Sequence, residues 1–277
     1  MKTALLNFYA LHSGVLRNTY TEVSLHFQHD PLHNLRLSVK RMRVFFGFLA
    51  TWDETMLRQA LPFLEEADTV FRAGGRYRDV FLQQQYLGEM ELNLDKPYPE
   101  YQRFLQELEM KRLRQLQKTL AGSPLLQLLP SLQDVEEAVH PMSERGLFRS
   151  YQYQASELYD EFLLHLDLWA ADHDPEHLHR ARRFLKNLMY LLNLFGKSRV
   201  RIGPRFRSSL SMKRTEQAIG LWHDRMAALQ HYMVYLKKSP PARRRTDDLW
   251  LLEKKMVSME KKAMQKATQE ARRVMGT

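Results

Sequence analysis

The sequence has no cysteine, which removes disulfides, thiolate nucleophiles and cysteine-ligated zinc together. It also lacks long apolar runs, none approaching the ~18 residues that a membrane span needs. The opening segment MKTALLNFYALHSGV has a short apolar run, but Asn7, Tyr9 and His12 interrupt it and no A-x-A cleavage site follows. It reads as an amphipathic first helix, not a secretory signal. Glycine and proline are scarce, eleven of each in 277 residues, and they fall at helix ends rather than at regular hairpin spacing. No segment alternates as a strand does, and neither a glycine-rich P-loop nor a G-x-S-x-G elbow occurs. These absences leave an all-α, soluble, cytoplasmic protein as the expectation.

What is present is helical periodicity. The pattern predicts helices at 3–26, 31–51, 54–72, 75–92, 98–121, 146–171, 175–196, 205–238 (with a break near Gly220) and 246–274, and a short one within 124–138. The segment VHPMSERG, 139–146, is the best midpoint break. Apolar content of 44% supports a packed core.

The two sides of that break repeat one another. DPLHNLRLSVKRMR begins at Asp30 and DPEHLHRARRFLKN begins at Asp174. Both read as Asp-Pro helix starts, with Asp as N-cap and Pro in the first helical place. Leu-His-x-x-Arg-x-x-x-Lys recurs as Leu32, His33, Arg36, Lys40 and as Leu178, His179, Arg182, Lys186. A second pairing follows in the same order, GRYRD at Gly75–Asp79 and GLWHD at Gly220–Asp224. His33 precedes Asp79 by 46 residues and His179 precedes Asp224 by 45. Two motifs repeated at matched separation read as a duplicated helical bundle, since the period is too long for a solenoid unit.

The repeated motif has a direct electrostatic meaning. His33, Arg36, Lys40 and Arg43 fall within an arc of about 80° on one helix, beside an apolar arc of Leu32, Leu35, Val39, Met42, Phe46 and Leu49. In the second copy His179, Arg182 and Lys186 take the same phase. Cations near a helix N-terminus are unwelcome to its dipole. Either acidic side chains from elsewhere neutralise them, or an anion from outside does. Basic charge is also concentrated: Glu176–Arg214 holds eleven Lys or Arg (Arg180, Arg182, Arg183, Lys186, Lys197, Arg199, Arg201, Arg205, Arg207, Lys213, Arg214) against one acid, which accounts for the whole formal charge of +10. A patch of this kind is the footprint of a polyanion site. Asp79 and Asp224, each following Arg78 or His223, read as acceptors that orient a His or Arg of the basic helix rather than as catalytic carboxylates.

Leu-His-x-x-Arg-x-x-x-Lys, with Arg-Asp or His-Asp about 45 residues later, resembles the CHAD family, the conserved-histidine alpha-helical domain. The resemblance covers essentially the whole chain and is strongest at 30–49, 75–87, 174–195 and 218–233. It implies a single domain, 1–277, built as a duplicated, pseudo-two-fold pair of antiparallel helical bundles with repeats at 1–140 and 146–277. It further implies binding of inorganic polyphosphate on a basic central surface. The residues themselves offer no nucleophile or metal cluster, so the expectation is binding without catalysis, cofactor or metal, in association with polyphosphate granules. Carried over onto matching positions, the phosphate contacts become His33, Arg36, Lys40, Arg41, Arg43, His179, Arg182 and Lys186. Arg78, Asp79, His223 and Asp224 support them. Asn187 and Met189 stand where the first copy has Arg41 and Arg43, which leaves the second site weaker or completed by Arg183, Lys213 and Arg214.

The same residues bear on other functions. A triphosphate-tunnel domain often accompanies CHAD domains, but the nearest string to its Glu-x-Glu-x-Lys motif, EMELN at Glu89–Asn93, lacks the lysine and lies at a helix end. His29 and His33, and His173, His177 and His179, have spacings a metal could use, but no clear third ligand accompanies them. The alternative function is an RNA- or DNA-binding protein using the same patch. Sequence-tolerant single-strand binding wants aromatic faces; the first basic arc has none of its own and the second has only Tyr190 nearby.

Overall fold

Local capping chemistry sets where several helices begin. The computed structural model describes residues 1–195, 209–239 and 247–275, and among them no strand and ten helices: α1 (Lys2–Leu25), α2 (His29–Leu49), α3 (Glu54–Leu94), α4 (Pro99–Ala121), α5 (Leu125–Leu128), α6 (Leu132–Val139), α7 (Glu144–Asp172), α8 (Pro175–Asn193), α9 (Ser209–Lys238) and α10 (Asp247–Met275). The fold is all-α, as expected. Asp53 Oδ1 accepts the backbone N–H groups of Thr55 (2.8 Å) and Met56 (3.2 Å) to open α3. Ser131 and Asp134 form a reciprocal capping box at α6. Asp174 Oδ1 accepts the N–H of Glu176 at 2.9 Å, so the second Asp-Pro start is a true cap.

The first Asp-Pro start is not. α2 begins at His29, and its N-cap is Gln28 in extended conformation with no side-chain cap. Pro31 is tolerated in the third helical place because first-turn N–H groups have no intrahelical acceptor to lose. The predicted helices 54–72 and 75–92 are one continuous helix, α3, running through Pro62, Gly74 and Gly75. Its buried row of Ala60, Phe63, Ala67, Val70, Ala73 and Tyr77 offsets the proline, which costs about 3 kcal/mol in a helix interior. The 124–138 segment is instead two helices. Leu129, before Pro130, takes an extended conformation (φ −70°, ψ 121°), because proline disfavours the α region for the residue preceding it. α9 passes Gly220 unbroken. The predicted boundaries at 196, 205 and 246 lie outside the described residues.

Two compact units divide the chain. The first comprises Met1–Arg78, Arg112–Asp160 and Lys186–Phe206; the second comprises Asp79–Lys111, Glu161–Leu185 and Arg207–Thr277. They are interleaved, so that α3, α4, α7 and α8 each contribute to both. In the first unit α1 packs on α2 through a chain of rings: Tyr9–Phe45 (5.2 Å), Phe45–Phe46 (5.4 Å) and Phe46–Phe63 (5.7 Å). The Tyr9 hydroxyl donates to the Pro130 carbonyl. The core of the second unit centres on Tyr101, Tyr232 and Tyr235, with Val80, Leu87, Met90 and Met256 around them. No described helix is long and apolar enough to cross a membrane.

Candidate functional site

In the first unit, burial of Leu32, Leu35, Val39, Met42, Phe46 and Leu49 fixes the rotation of α2. His33, Arg36, Lys40 and Arg43 are thereby left half-buried along its edge, against α3. Arg36 crosses α3 at Gly75. A β-carbon there would lie 2.7 Å from its Nη1, closer than any real contact, so glycine is what admits the guanidinium. From this seat Nη1 donates to the carbonyl oxygen of Phe71. The guanidinium carbon lies 4.0 Å from the centre of the Phe71 ring. Arg43 and Lys40 also approach that ring, at 4.7 and 5.3 Å, within cation–π range. Arg43 is further engaged by Asp68, which also holds Arg72 at 2.5 Å.

His33 reports the field these groups make. Burial lowers its pKa first, followed by the positive charges of Arg78, Lys40, Arg36 and Lys186. Cations from α2, α3 and α8 thus converge on one ring, and Lys186 of the second motif joins the first motif's cluster. Arg41 does not belong to this arc. Its charge acts on His12 of α1, whose pKa is pushed down to about 4, mainly by burial.

The second unit repeats the arrangement with altered charges. Arg182 crosses α9 at Gly220, where a β-carbon would lie 3.0 Å from its Nη2. Its Nη2 lies 3.3 Å from Glu216 Oε1, and its buried Nε has no hydrogen-bond partner among the described residues. His179 stacks on His223, with ring centres 4.9 Å apart. Partial burial lowers the pKa of His179 first, then His223; Glu176 opposes this, and Arg182 and Arg183 add to it. Asp224 lies 3.5 Å from His223 Nδ1 on its own helix and accepts the Tyr86 hydroxyl; its partners come from α9 and α3, not from the basic helix α8. Asp79 is exposed on α3, and Arg183, Lys213 and Arg214 are exposed on α8 and α9. Lys197, Arg199, Arg201, Arg205 and Arg207 lie outside the described residues.

Phe71, Gly75, Glu216 and Gly220 escaped the sequence reading as parts of the site. The signal was available: carrying the GRYRD/GLWHD pairing back four residues aligns Phe71 with Glu216. Among the described residues no group of three or more His, Asp or Glu is placed to hold a metal ion. Of the metal-spaced histidines, His29 lies 3.3 Å from the Tyr77 hydroxyl and His177 lies 3.3 Å from His165. Glu89 of the EMELN string takes Arg225 at 2.8 Å within the second unit.

The family model described as CHAD domain matches residues 12–232. Among solved structures, PptA from Streptomyces chartreusis aligns with a TM-score of 0.71 at 12% identity, covering 98% of each chain. The CHAD domain from the plant Ricinus communis aligns with a TM-score of 0.71 at 14% identity, covering 100% of this chain and 92% of that one. At these identities the likeness is one of fold. No curated protein sequence matches the chain.

Proposed function

The chain belongs to the CHAD domain family, and on that premise we propose that it binds inorganic polyphosphate through its two His/Arg/Lys clusters, without catalysing a reaction. One observation carries the reading: the half-buried His33 sits in the combined positive field of Arg78, Lys40, Arg36 and Lys186, brought together from three helices. Holding like charges together is unfavourable, and a ligand carrying closely spaced phosphates relieves it. Arginine supplies planar donors, lysine supplies point charge, and release of counterions from the polyanion makes the affinity strongly salt-dependent. The recurrence of an arginine seated on a glycine, at Gly75 and again at Gly220, supports the duplicated, pseudo-two-fold reading of the sequence.

The nucleic-acid alternative meets a specific obstacle. The aromatic side chain at the first cluster, Phe71, comes from α3, and Arg36 lies against its ring at 4.0 Å. That contact occupies ring surface on which a base would otherwise stack. The test is competition between long-chain polyphosphate and single-stranded RNA at fixed ionic strength. Polyphosphate should displace RNA of equal charge, with affinity falling steeply as salt rises. RNA displacing polyphosphate would transfer the site to nucleic acid.

A further inference from the structure

Phe71 stands where three cations of the first cluster meet. Arg36, Lys40 and Arg43 follow one another at one-turn spacing along α2. Each approaches the same ring of α3, at 4.0, 5.3 and 4.7 Å from its centre. All four residues belong to the first unit. The ring is not part of the core: Phe71 is half-buried, whereas Val70 and Ala73 on the same helix are fully buried. The backbone adds to the seat, since Arg36 donates to the carbonyl oxygen of Phe71 itself. Whatever else each cation touches, this ring is a surface common to all three.

Three like charges within one screening length of a common point repel one another, and long side chains splay apart to separate and hydrate them. The face of an aromatic ring carries the negative part of its quadrupole and attracts each cation. Unlike a carboxylate, it adds no opposing charge. We propose that Phe71 is the positioning residue of this cluster: its ring assembles Arg36, Lys40 and Arg43 before the ligand arrives, so that linked phosphate groups meet donors already convergent. Ordering one long side chain at the moment of binding weakens affinity by roughly two- to tenfold, and the ring removes part of that penalty for three side chains at once. The feature such a set reads is a run of adjacent phosphates, which a short inorganic oligophosphate already carries. Orthophosphate offers a single group and engages the set incompletely. This inference rests on the polyphosphate reading above and adds to it the residue that preassembles the first cluster.

The experiment titrates inorganic triphosphate into wild type, Phe71→Leu and Phe71→Tyr, with thermal melting to check that each is folded. Phe71→Leu should weaken binding about tenfold, and Phe71→Tyr, which keeps the ring, should restore most of the loss. The cations are still present in Phe71→Leu, so the slope of log affinity against log salt should not change, whereas Arg36→Gln should lower it. Fluorinated phenylalanines at position 71 keep the outline of the ring while weakening its negative face, so affinity should fall with each added fluorine. In a chain already carrying Arg36→Gln, the effect of Phe71→Leu should shrink. If Phe71→Leu binds as wild type does, if its effect persists in full beside Arg36→Gln, or if affinity ignores fluorination, the positioning role is overturned while oligophosphate binding stands. If neither triphosphate nor long-chain polyphosphate binds wild type, the functional reading fails and this inference with it.

Discussion

Gly75→Ala isolates the seat of Arg36. Alanine is the better helix former, and by propensity alone the change stabilises an interior helical position by about 0.8–1.0 kcal/mol. The added methyl would lie 2.7 Å from Arg36 Nη1 and 3.3 Å from Nη2, so the guanidinium has to leave. It then gives up a charged hydrogen bond to the Phe71 carbonyl and its contact with the ring, about 1.5–3 and 0.5–1 kcal/mol respectively. The net is a destabilisation of roughly 1–3 kcal/mol, or a fall in melting temperature of about 3–9 °C for a chain this size. Gly88 lies in the same helix with nothing within 4 Å of its would-be β-carbon. Gly88→Ala should therefore gain up to about 1 kcal/mol and melt slightly higher. Both variants are measured by circular dichroism melting and by titration with polyphosphate, where Gly75→Ala should also bind more weakly. If Gly75→Ala melts as high as Gly88→Ala and binds as wild type does, Arg36 is not seated across Gly75.

Three other sites in the chain give measurable outcomes. His12, held near pKa 4 in the folded chain against about 6.5 when unfolded, contributes stability fully above pH 6.5. That contribution is lost as pH falls toward 4, because the unfolded state takes the proton first. Denaturant melts between pH 7 and 4 should show a loss of about 1–2 kcal/mol, allowing for solvent screening of a half-exposed ring, that His12→Leu removes. His33 and His179 are both held below the usual histidine value in the free protein, so bound polyphosphate should raise their affinity for protons. Binding should then take up protons and tighten as pH falls below about 6.5, seen by calorimetry in buffers of differing ionisation enthalpy; uptake unchanged in His33→Gln with His179→Gln would make both rings bystanders. Gly146→Ala would drive a methyl into the Trp52 indole and to 2.8 Å from Ser143 Oγ, costing about 1–3 kcal/mol. Thermal melting should show that loss, and Trp52→Leu in the same chain should recover much of it.

The sequence was readable wherever a property is periodic or local. The 3.6-residue pattern placed the helices, and the apolar arc of α2 predicted its buried face residue by residue, from Leu32 to Leu49. Gly74-Gly75 misled because glycine has two meanings. It was read as a helix stop, whereas here it removes side chains where Leu32 and Arg36 press against α3. Asp30 looked like a cap because the rule weighs composition and cannot see Gln28 already extended. At the site, the cations showed themselves by spacing along one helix. What restrains them did not, because Phe71 and Glu216 act from other helices, and only tertiary packing decides which face of α3 or α9 meets the arc. Arg41 came from the family resemblance and not from the arc; neighbouring helical positions point about 100° apart, and its charge acts on His12 of α1.

The interleaving of the two units has a consequence for how the chain is made. The first unit is complete only with Lys186–Phe206, and the second draws on three separate segments between Asp79 and the C-terminus. Residues 79–185 therefore leave the ribosome before the last strip of the first unit is available, an interval of about 5–20 s at ordinary synthesis rates. During that interval α1 and α2 can pair, but Tyr151 and Phe48 await Phe195, whose ring lies 4.7 and 5.4 Å from theirs in the finished protein. A nascent chain of this design carries an open aromatic surface through most of its own translation, and Lys186 reaches the first cluster only as that surface closes.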